Sequence, residues 1–406
     1  MNSKSITGFF LIFICLTSFA AGYAMGQSPW APYTLFGPVR STPDEAREAF
    51  APFWEVWSLV NTRYFDQPVD NDLLAEGAIN GMLAVLGDNN TRYLAPEDEE
   101  AAREAMSGEF QGIGAEVTTV DGAIVVVSPI EGSPAEQAGL RPGDILREAN
   151  GVALTGLDVV QAARLVRGPA GTAVSLLVER EGEQFNLEVV RARIELKSVR
   201  SEMLPDNLAY IRLNRFGERS DEEVAEALEA VMANNPAGLI LDLRRNPGGS
   251  LPTAVAVADQ FLPAGVILRE KFGNGAERLY ESTDRGLAQD VPLVVLIDEG
   301  SASASEVLAG AVRDLGRGTL IGQTTFGKGT VQTWQGLSNG GGVRLTIARW
   351  LTPDSDWIHE RGLDPDFFIP LPQDELANEG PDSQLQAAID FLTGKTIISI
   401  PPETEG

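Results

Sequence analysis

A single cysteine and a single histidine occur in 406 residues. Cys15 lies inside an N-terminal apolar run, which excludes an intrachain disulfide, a cysteine-rich zinc site and a soluble catalytic thiol. His359 is the one candidate for any mechanism that needs an imidazole base. Basic residues are also scarce: 31 against 58 acidic residues leave a net charge of −27. A field of that sign repels nucleic acid and anionic lipid, so no nucleic-acid partner is expected. With 43% hydrophobic residues the chain still has ample material for a core, at two or three domains for its length.

Charge is absent altogether between Lys4 and Arg40, and the run from Ile6 to Gly26 is almost wholly apolar. Residues 1–26 therefore read as an export signal, either an uncleaved membrane anchor or a cleavable signal peptide. Lys4 stays inside by the positive-inside rule, which places the remainder outside the cytoplasm. Ile14 before Cys15 is too bulky for lipidation processing. Residues 27–43, with Pro29, Pro32, Gly37 and Pro38, read as a linker.

Residues 44–106 read as a helical region. Phe53, Trp54, Trp57, Val60, Asn61 and Tyr64 fall at helical spacing, a second amphipathic stretch covers 72–86, and the two are expected to pack as a small core. The acidic run 97–100 follows Pro96 and suits a helix start, without the spacing of a calcium loop. Asn89-Asn90-Thr91 matches a short glycosylation pattern that arises easily by chance.

Between residues 107 and 195 glycine-rich turns separate short β-branched runs. In Gly132-Ser133-Pro134-Ala135-Glu136-Gln137-Ala138-Gly139, Ser133 can cap a helix, Pro134 suits its first position, Glu136 has capping-box spacing and Gly139 supplies a left-handed stop. Asn150-Gly151 is a hairpin signal. With Gly112-Ile113-Gly114-Ala115 upstream and Arg167-Gly168-Pro169 downstream, this block resembles a PDZ domain. The resemblance makes Gly112, Ile113, Gly114 and Ala115 a loop whose backbone N–H groups capture a peptide's terminal carboxylate.

Beyond residue 200 strands alternate with helices. The apolar run Gly238 to Leu243 ends in Arg244-Arg245-Asn246-Pro247-Gly248-Gly249, and a second, Leu293 to Ile297, ends in Asp298-Glu299-Gly300. Then come Ser301-Ala302-Ser303-Ala304-Ser305-Glu306 and a helical stretch, in which Ser303 and Glu306 have capping-box spacing. A serine there is ordinarily just a cap. Downstream, Gly327-Lys328-Gly329-Thr330-Val331-Gln332 puts Lys328, Thr330 and Gln332 on one face of a strand. A phosphate-binding loop is excluded, because no glycine precedes at the required spacing and no Ser or Thr follows the lysine directly. What remains is a nucleophile, a base and candidate oxyanion donors.

These motifs, in this order, resemble the C-terminal-processing peptidases, or tail-specific proteases, over about residues 44–390. The resemblance implies an α/β (α+β) multidomain chain: the helical region, an inserted PDZ β-sandwich-like domain at 107–195, a crotonase-like protease core at 196–390, and a tail at 391–406. It makes Ser303 and Lys328 a catalytic dyad supported by Gln332, with an oxyanion hole from the amide of Ala304 and one of Gly248 or Gly249. Ser301 and Ser305 flank Ser303 and compete for its role. Where the family often has a histidine, this chain has Asp88-Asn89-Asn90-Thr91, a change expected to touch only local packing. His359 as base is the disfavoured alternative.

A lysine base must be neutral, so burial has to lower its pKa; Phe326 is a candidate wall, and Gln332 can orient the amine without adding charge. The expected function is an exported endopeptidase acting on proteins with exposed C-terminal tails. It calls for no metal and no cofactor, would touch the membrane only through an uncleaved N-terminus, and is compatible with a homo-oligomer. A catalytically inactive PDZ scaffold is the alternative, and a crotonase-like acyl-CoA enzyme a weaker one.

Overall fold

The computed structural model describes residues 44–96, 98–99, 109–130, 132–195, 197–371 and 382–400. The segments expected to be an export signal and a linker, and the end of the tail, lie outside these residues, as do Glu97 and Glu100 of the acidic run. No described helix is long and apolar enough to cross a membrane. Two units are resolved, divided after Ala75.

In the first unit the helix Ala51–Arg63 has no buried residue. Its aromatic residues do not form the buried core expected of them. Instead Phe50, Phe53, Trp54 and Trp57 stack on one another, with ring centroids 5.0–6.2 Å apart. A helix rich in rings at three- and four-residue spacing can satisfy them locally, so the pattern alone does not guarantee a partner.

The second unit is organised around a six-stranded sheet. Its order is Val199–Leu204, Leu208–Leu213, Gly238–Asp242, Leu293–Ile297, Thr319–Gly322 and Phe367–Phe368. The first pair is antiparallel and the rest parallel. Both central strands are buried at every position, because helices cover both faces. Alternation sends Leu239, Leu241, Leu293, Val295 and Ile297 to the side of the helices Ser220–Met232, Leu251–Asp259 and Ala304–Asp314. Ile240, Val294 and Leu296 face the helix Ser383–Leu392. That last helix runs past residue 390, and Ile400 donates its N–H to Phe368 O at 2.8 Å, so the expected tail begins as part of the fold.

A buried knot fastens this helix. Arg244 bonds Asp242 at 2.6 Å and Asp382 at 2.8 Å, and Tyr210 donates to Asp242 at 2.8 Å. The paired carboxylates outweigh the desolvation of Arg244 and hold its pKa above the ordinary value; burial, with the adjacent Asp242, raises that of Tyr210.

A second sheet contains Arg92–Leu94, Gly342–Leu351, Gly265–Phe272 and Glu277–Ser282, with Thr330–Gly336 also paired to Gly342–Leu351. Residues 44–106 are thus not helical throughout: Arg92–Leu94 is a strand because Tyr93 and Leu94 have the long strand Gly342–Leu351 to bury against. The register shifts after Val331, leaving Ile347 as a bulge.

The PDZ block forms its own sheet, ordered Ala115–Val120, Ala123–Pro129, Ile145–Ala149, Ala173–Arg180 and Glu183–Val190, over a separate apolar cluster. A ribbon between Glu109–Gly112 and Ala192–Glu195 ties its two ends together. Ser133 caps the helix Pro134–Gln137, and Gly139 takes a φ of 89°. The capping box is displaced by one residue, since Glu136 receives the N–H of Gly132 at 2.7 Å rather than that of Ser133. Asn150 and Gly151, at φ 50° and 78°, make the two-residue turn their sequence predicts.

Candidate active site

The loops leaving Gly238–Asp242 and Leu293–Ile297 are stitched together through two buried side chains. Asp298 Oδ1 accepts from Arg245 N at 2.8 Å and Gly300 N at 3.0 Å. Asn246 donates to Leu213 O at 2.8 Å, accepts the N–H of Gly248 on Oδ1 at 2.9 Å, and receives Ala302 N on its own carbonyl at 3.0 Å. Gly248 faces the serine turn so closely that a Cβ there would lie 2.6 Å from Ala302 O and 2.8 Å from Ala304 N. Gly249 bridges to Phe216, whose carbonyl oxygen a Cβ would meet at 2.1 Å. Only glycine fits either position.

Ser303 stands between the turn and the helix Ala304–Asp314 at φ 55°, ψ −110°, a conformation that L residues rarely take and that active-site turns tolerate because neighbouring bonds enforce it. Its two rivals are committed elsewhere. Ser301 is fully buried, donates to Leu243 O at 2.8 Å and accepts from Asp298 N at 3.0 Å. Ser305 is fully buried and donates to Asn246 O at 2.9 Å. Ser303, by contrast, lines a cavity of about 640 Å³ together with Gly248, Gly249, Ala304, Lys328, Thr330, Gln332 and Arg344.

Glu306 holds the two halves of this site together. One of its oxygens accepts both the N–H of Ser303 at 2.7 Å and that of Lys328 at 2.9 Å; the other accepts Thr325 Oγ1 at 2.6 Å and Gly327 N at 2.7 Å. Ser303-to-Glu306 spacing signals a helix cap in sequence, and the structure adds that the same carboxylate anchors the lysine loop 22 positions away from it. The glycines around Lys328 are required by close backbone approach. A Cβ on Gly327 would lie 2.8 Å from Gly362 N, and one on Gly329 2.8 Å from the Trp357 ring nitrogen. Trp350 donates to Lys328 O at 2.8 Å.

His359 belongs to this support rather than to the cavity. Its ring lies against that of Trp357, and Nδ1 is 3.3 Å from Gly327 O. The Gly362-Leu363-Asp364-Pro365-Asp366 segment joins in: Leu363 N bonds Thr325 Oγ1 at 2.8 Å, and Asp364 accepts from Thr324 at 2.8 Å.

Burial lowers the Lys328 ammonium to about 8, with the Arg344 and Arg92 cations adding to the effect and Glu306 and Asp88 opposing it. The wall is not Phe326, which is 65% exposed; Trp334, Val331 and Trp350 line the cavity instead. Gln332 also differs from expectation. Among the described residues it bonds Thr330 at 2.8 Å and Thr346 at 3.3 Å and accepts Arg344 Nη2 at 3.0 Å, with no hydrogen bond to Lys328. Arg344, sixteen residues beyond Lys328 and brought back by strand pairing, carries no motif that sequence reading could have found. Asp88, expected to matter for packing alone, also acts through charge on Lys328.

Two family models match parts of the chain. Residues 207–369 match peptidase family S41, and residues 125–180 match a PDZ domain. The carboxy-terminal processing protease CtpA of Bacillus subtilis is 38% identical over 320 residues, covering 78% of this chain and 68% of the relative. The chain belongs to peptidase family S41. CtpB of the same organism is 35% identical over 84% of this chain and 72% of its own length. A crystal structure of a Bacteroides fragilis protein assigned to the S41 proteases shares the fold at 17% identity, with a TM-score of 0.55 over 84% of this chain and 97% of that one. This S41 member is accordingly a serine peptidase of the carboxy-terminal processing group, with protein substrates.

The site predicts a pH profile. A general base at Lys328, with its pKa near 8, would give a rate that climbs through neutrality and levels off above about pH 9. Arg344→Met removes a cation that disfavours the ammonium form, so the pKa rises and the limb moves to higher pH. A displacement of half a unit lowers the rate at pH 7 about threefold. Pre-steady-state acylation measured from pH 6 to 10 checks this; an unmoved limb would mean that Arg344 does not tune the base.

Proposed function

We propose that this S41 peptidase is an exported endopeptidase that uses Ser303 and Lys328 as a dyad and selects substrates by their C-terminal tails. The observation that carries the reading is the convergence of Ser303, Lys328, Ala304, Gly248 and Gly249 on one cavity, with the flanking serines bonded away from it. In this mechanism Ser303 Oγ attacks the scissile carbonyl carbon while its proton passes to neutral Lys328 Nζ. The lysine then returns that proton to the departing amine. Water attacks the acyl-enzyme in the second half, giving its proton to Lys328, which restores it to Ser303.

The tetrahedral oxyanion needs two free amides. Gly248 N–H is already taken by Asn246, whereas the N–H groups of Ala304 and Gly249 donate to no described residue. We assign the oxyanion hole to Ala304 and Gly249, leaving Gly248 the steric role of admitting the serine turn.

Tail recognition is supported by a groove of about 180 Å³ in the PDZ domain, between the edge strand Ala115–Val120 and the helix Val159–Val166. Phe110, Ile113, Gly114, Ala115, Val117 and Ala163 are among its lining residues, and the amides of Ile113 and Gly114 donate to no described residue. An extended tail can add to the strand edge with its carboxylate at those amides. Gly114 is a poor probe of this, because at φ 75° a Cβ would sit 2.5 Å from Ser133 Cβ and disturb the loop itself. Ala163→Phe fills the groove instead. It should weaken binding of a tail peptide at least tenfold and erase discrimination between unfolded substrates that differ only in their last residues, while hydrolysis of a small activated ester persists. Unchanged tail discrimination would remove the PDZ domain from substrate choice. Failure of the unmodified chain to cut any such substrate would favour the inactive scaffold.

A further inference from the structure

The cavity that holds Ser303 contains a carboxylate that the proposed chemistry does not use. Glu270, 3% exposed, lies on the strand Gly265–Phe272 with Trp350 paired on one side and Arg278 on the other. Tyr280 donates to Glu270 Oε2 at 2.9 Å, and both residues line the cavity. Arg278, directly opposite in the ladder, reaches the Tyr280 hydroxyl at 3.3 Å rather than the carboxylate. Glu270 has no ion pair within 4 Å among the described residues and Oε1 accepts no hydrogen bond from them, although the Arg278 cation acts on it at longer range.

Arg278 serves this carboxylate only at a distance, across the Tyr280 hydroxyl, and a buried carboxylate gains more from a cation in direct contact. Besides the cations Arg215, Lys328 and Arg344, the same cavity is lined by Leu251, Val307, Val331 and Trp350, which offer an apolar passage. An aliphatic stem ending in a cation suits such a lining, since the stem is buried along the apolar walls and the head meets the anion. We propose that Glu270, oriented by Tyr280, is a specificity residue that receives a lysine or arginine side chain of the substrate next to the scissile bond. This rests on Ser303 being the nucleophile of that cavity and adds the class of side chain seated beside it.

The test uses the full chain and unfolded peptide substrates in which each position around the mapped cleavage site carries lysine, arginine, norleucine or glutamine in turn. At one position, a basic side chain should raise kcat/KM at least about tenfold over norleucine. Glu270→Gln, which keeps the volume, should bring that ratio to near one, and Tyr280→Phe should lower it partially. Hydrolysis of a small activated ester reports on the dyad separately: its loss in the unmodified chain would overturn the nucleophile, whereas its retention with no basic preference at any position would overturn the role of Glu270. A preference that survives Glu270→Gln in a variant with an unchanged circular-dichroism spectrum would overturn it equally.

Discussion

Ser303→Ala and Lys328→Ala should each lower kcat by about 10⁴ or more, because each removes an indispensable member of a unit that functions only when complete. The fold should persist, since neither side chain belongs to the apolar core that surrounds the central sheet. Ser301→Ala and Ser305→Ala should behave in the opposite way. Each deletes a buried hydroxyl that bonds a loop carbonyl, Leu243 O or Asn246 O, and should lower stability by about 1 kcal/mol or somewhat more while cleavage continues. Thermal unfolding together with steady-state cleavage separates the two patterns. Loss of cleavage with Ser305→Ala and its retention with Ser303→Ala would move the nucleophile.

Glu306 predicts the second large effect. Its carboxylate is fully buried and accepts four hydrogen bonds, three from backbone amides and one from Thr325. Glu306→Ala strands all four donors, a penalty of several kcal/mol at about 1–3 for each. Glu306→Gln keeps the volume but turns an NH₂ group toward N–H donors. Since one oxygen joins the amides of Ser303 and Lys328, either change lets nucleophile and base drift apart. The expected result for Glu306→Gln is a fall in kcat of about a hundredfold or more with KM nearly unchanged, because positioning at the reacting centre is lost before substrate binding. Its acylation limb should also shift, as a charge that favours the lysine's ammonium form is removed and the pKa drops. A variant with undiminished kcat would show that the shared carboxylate does not set the geometry.

Much of the site was legible because its motifs are local. Gly-Gly after one strand, serine after the next and lysine between glycines each announce a backbone that must come close to something. What they could not announce is what closes around them. Arg344 and Glu270 reach the cavity from strands whose register depends on pairing, including the Ile347 bulge, and no spacing within the chain encodes that. Phe326 reads as a wall because it is an apolar residue beside a lysine, whereas the loop turns its ring outward and tryptophans from paired strands line the cavity. Lys328 sits in the loop ahead of the strand Thr330–Gly336 rather than on its face; Gln332 lines the same cavity, yet its amide is drawn to Thr330, Thr346 and Arg344. The N-terminal aromatic stripe lies on a helix as its spacing predicts, but periodicity says which residues share a face and not whether anything covers it.

The central claim, that Ser303 is acylated with Lys328 as its base, is tested most directly by trapping the acyl-enzyme. A peptidyl p-nitrophenyl ester is mixed with the chain at a series of pH values, the reaction is quenched in acid, and the modified residue is located by peptide mass spectrometry. The account predicts a single adduct on Ser303, formed at a rate that rises with a midpoint near pH 8 and lost in Lys328→Ala. An adduct on Ser301 or Ser305, or acylation of Ser303 that proceeds unchanged in Lys328→Ala, would contradict it.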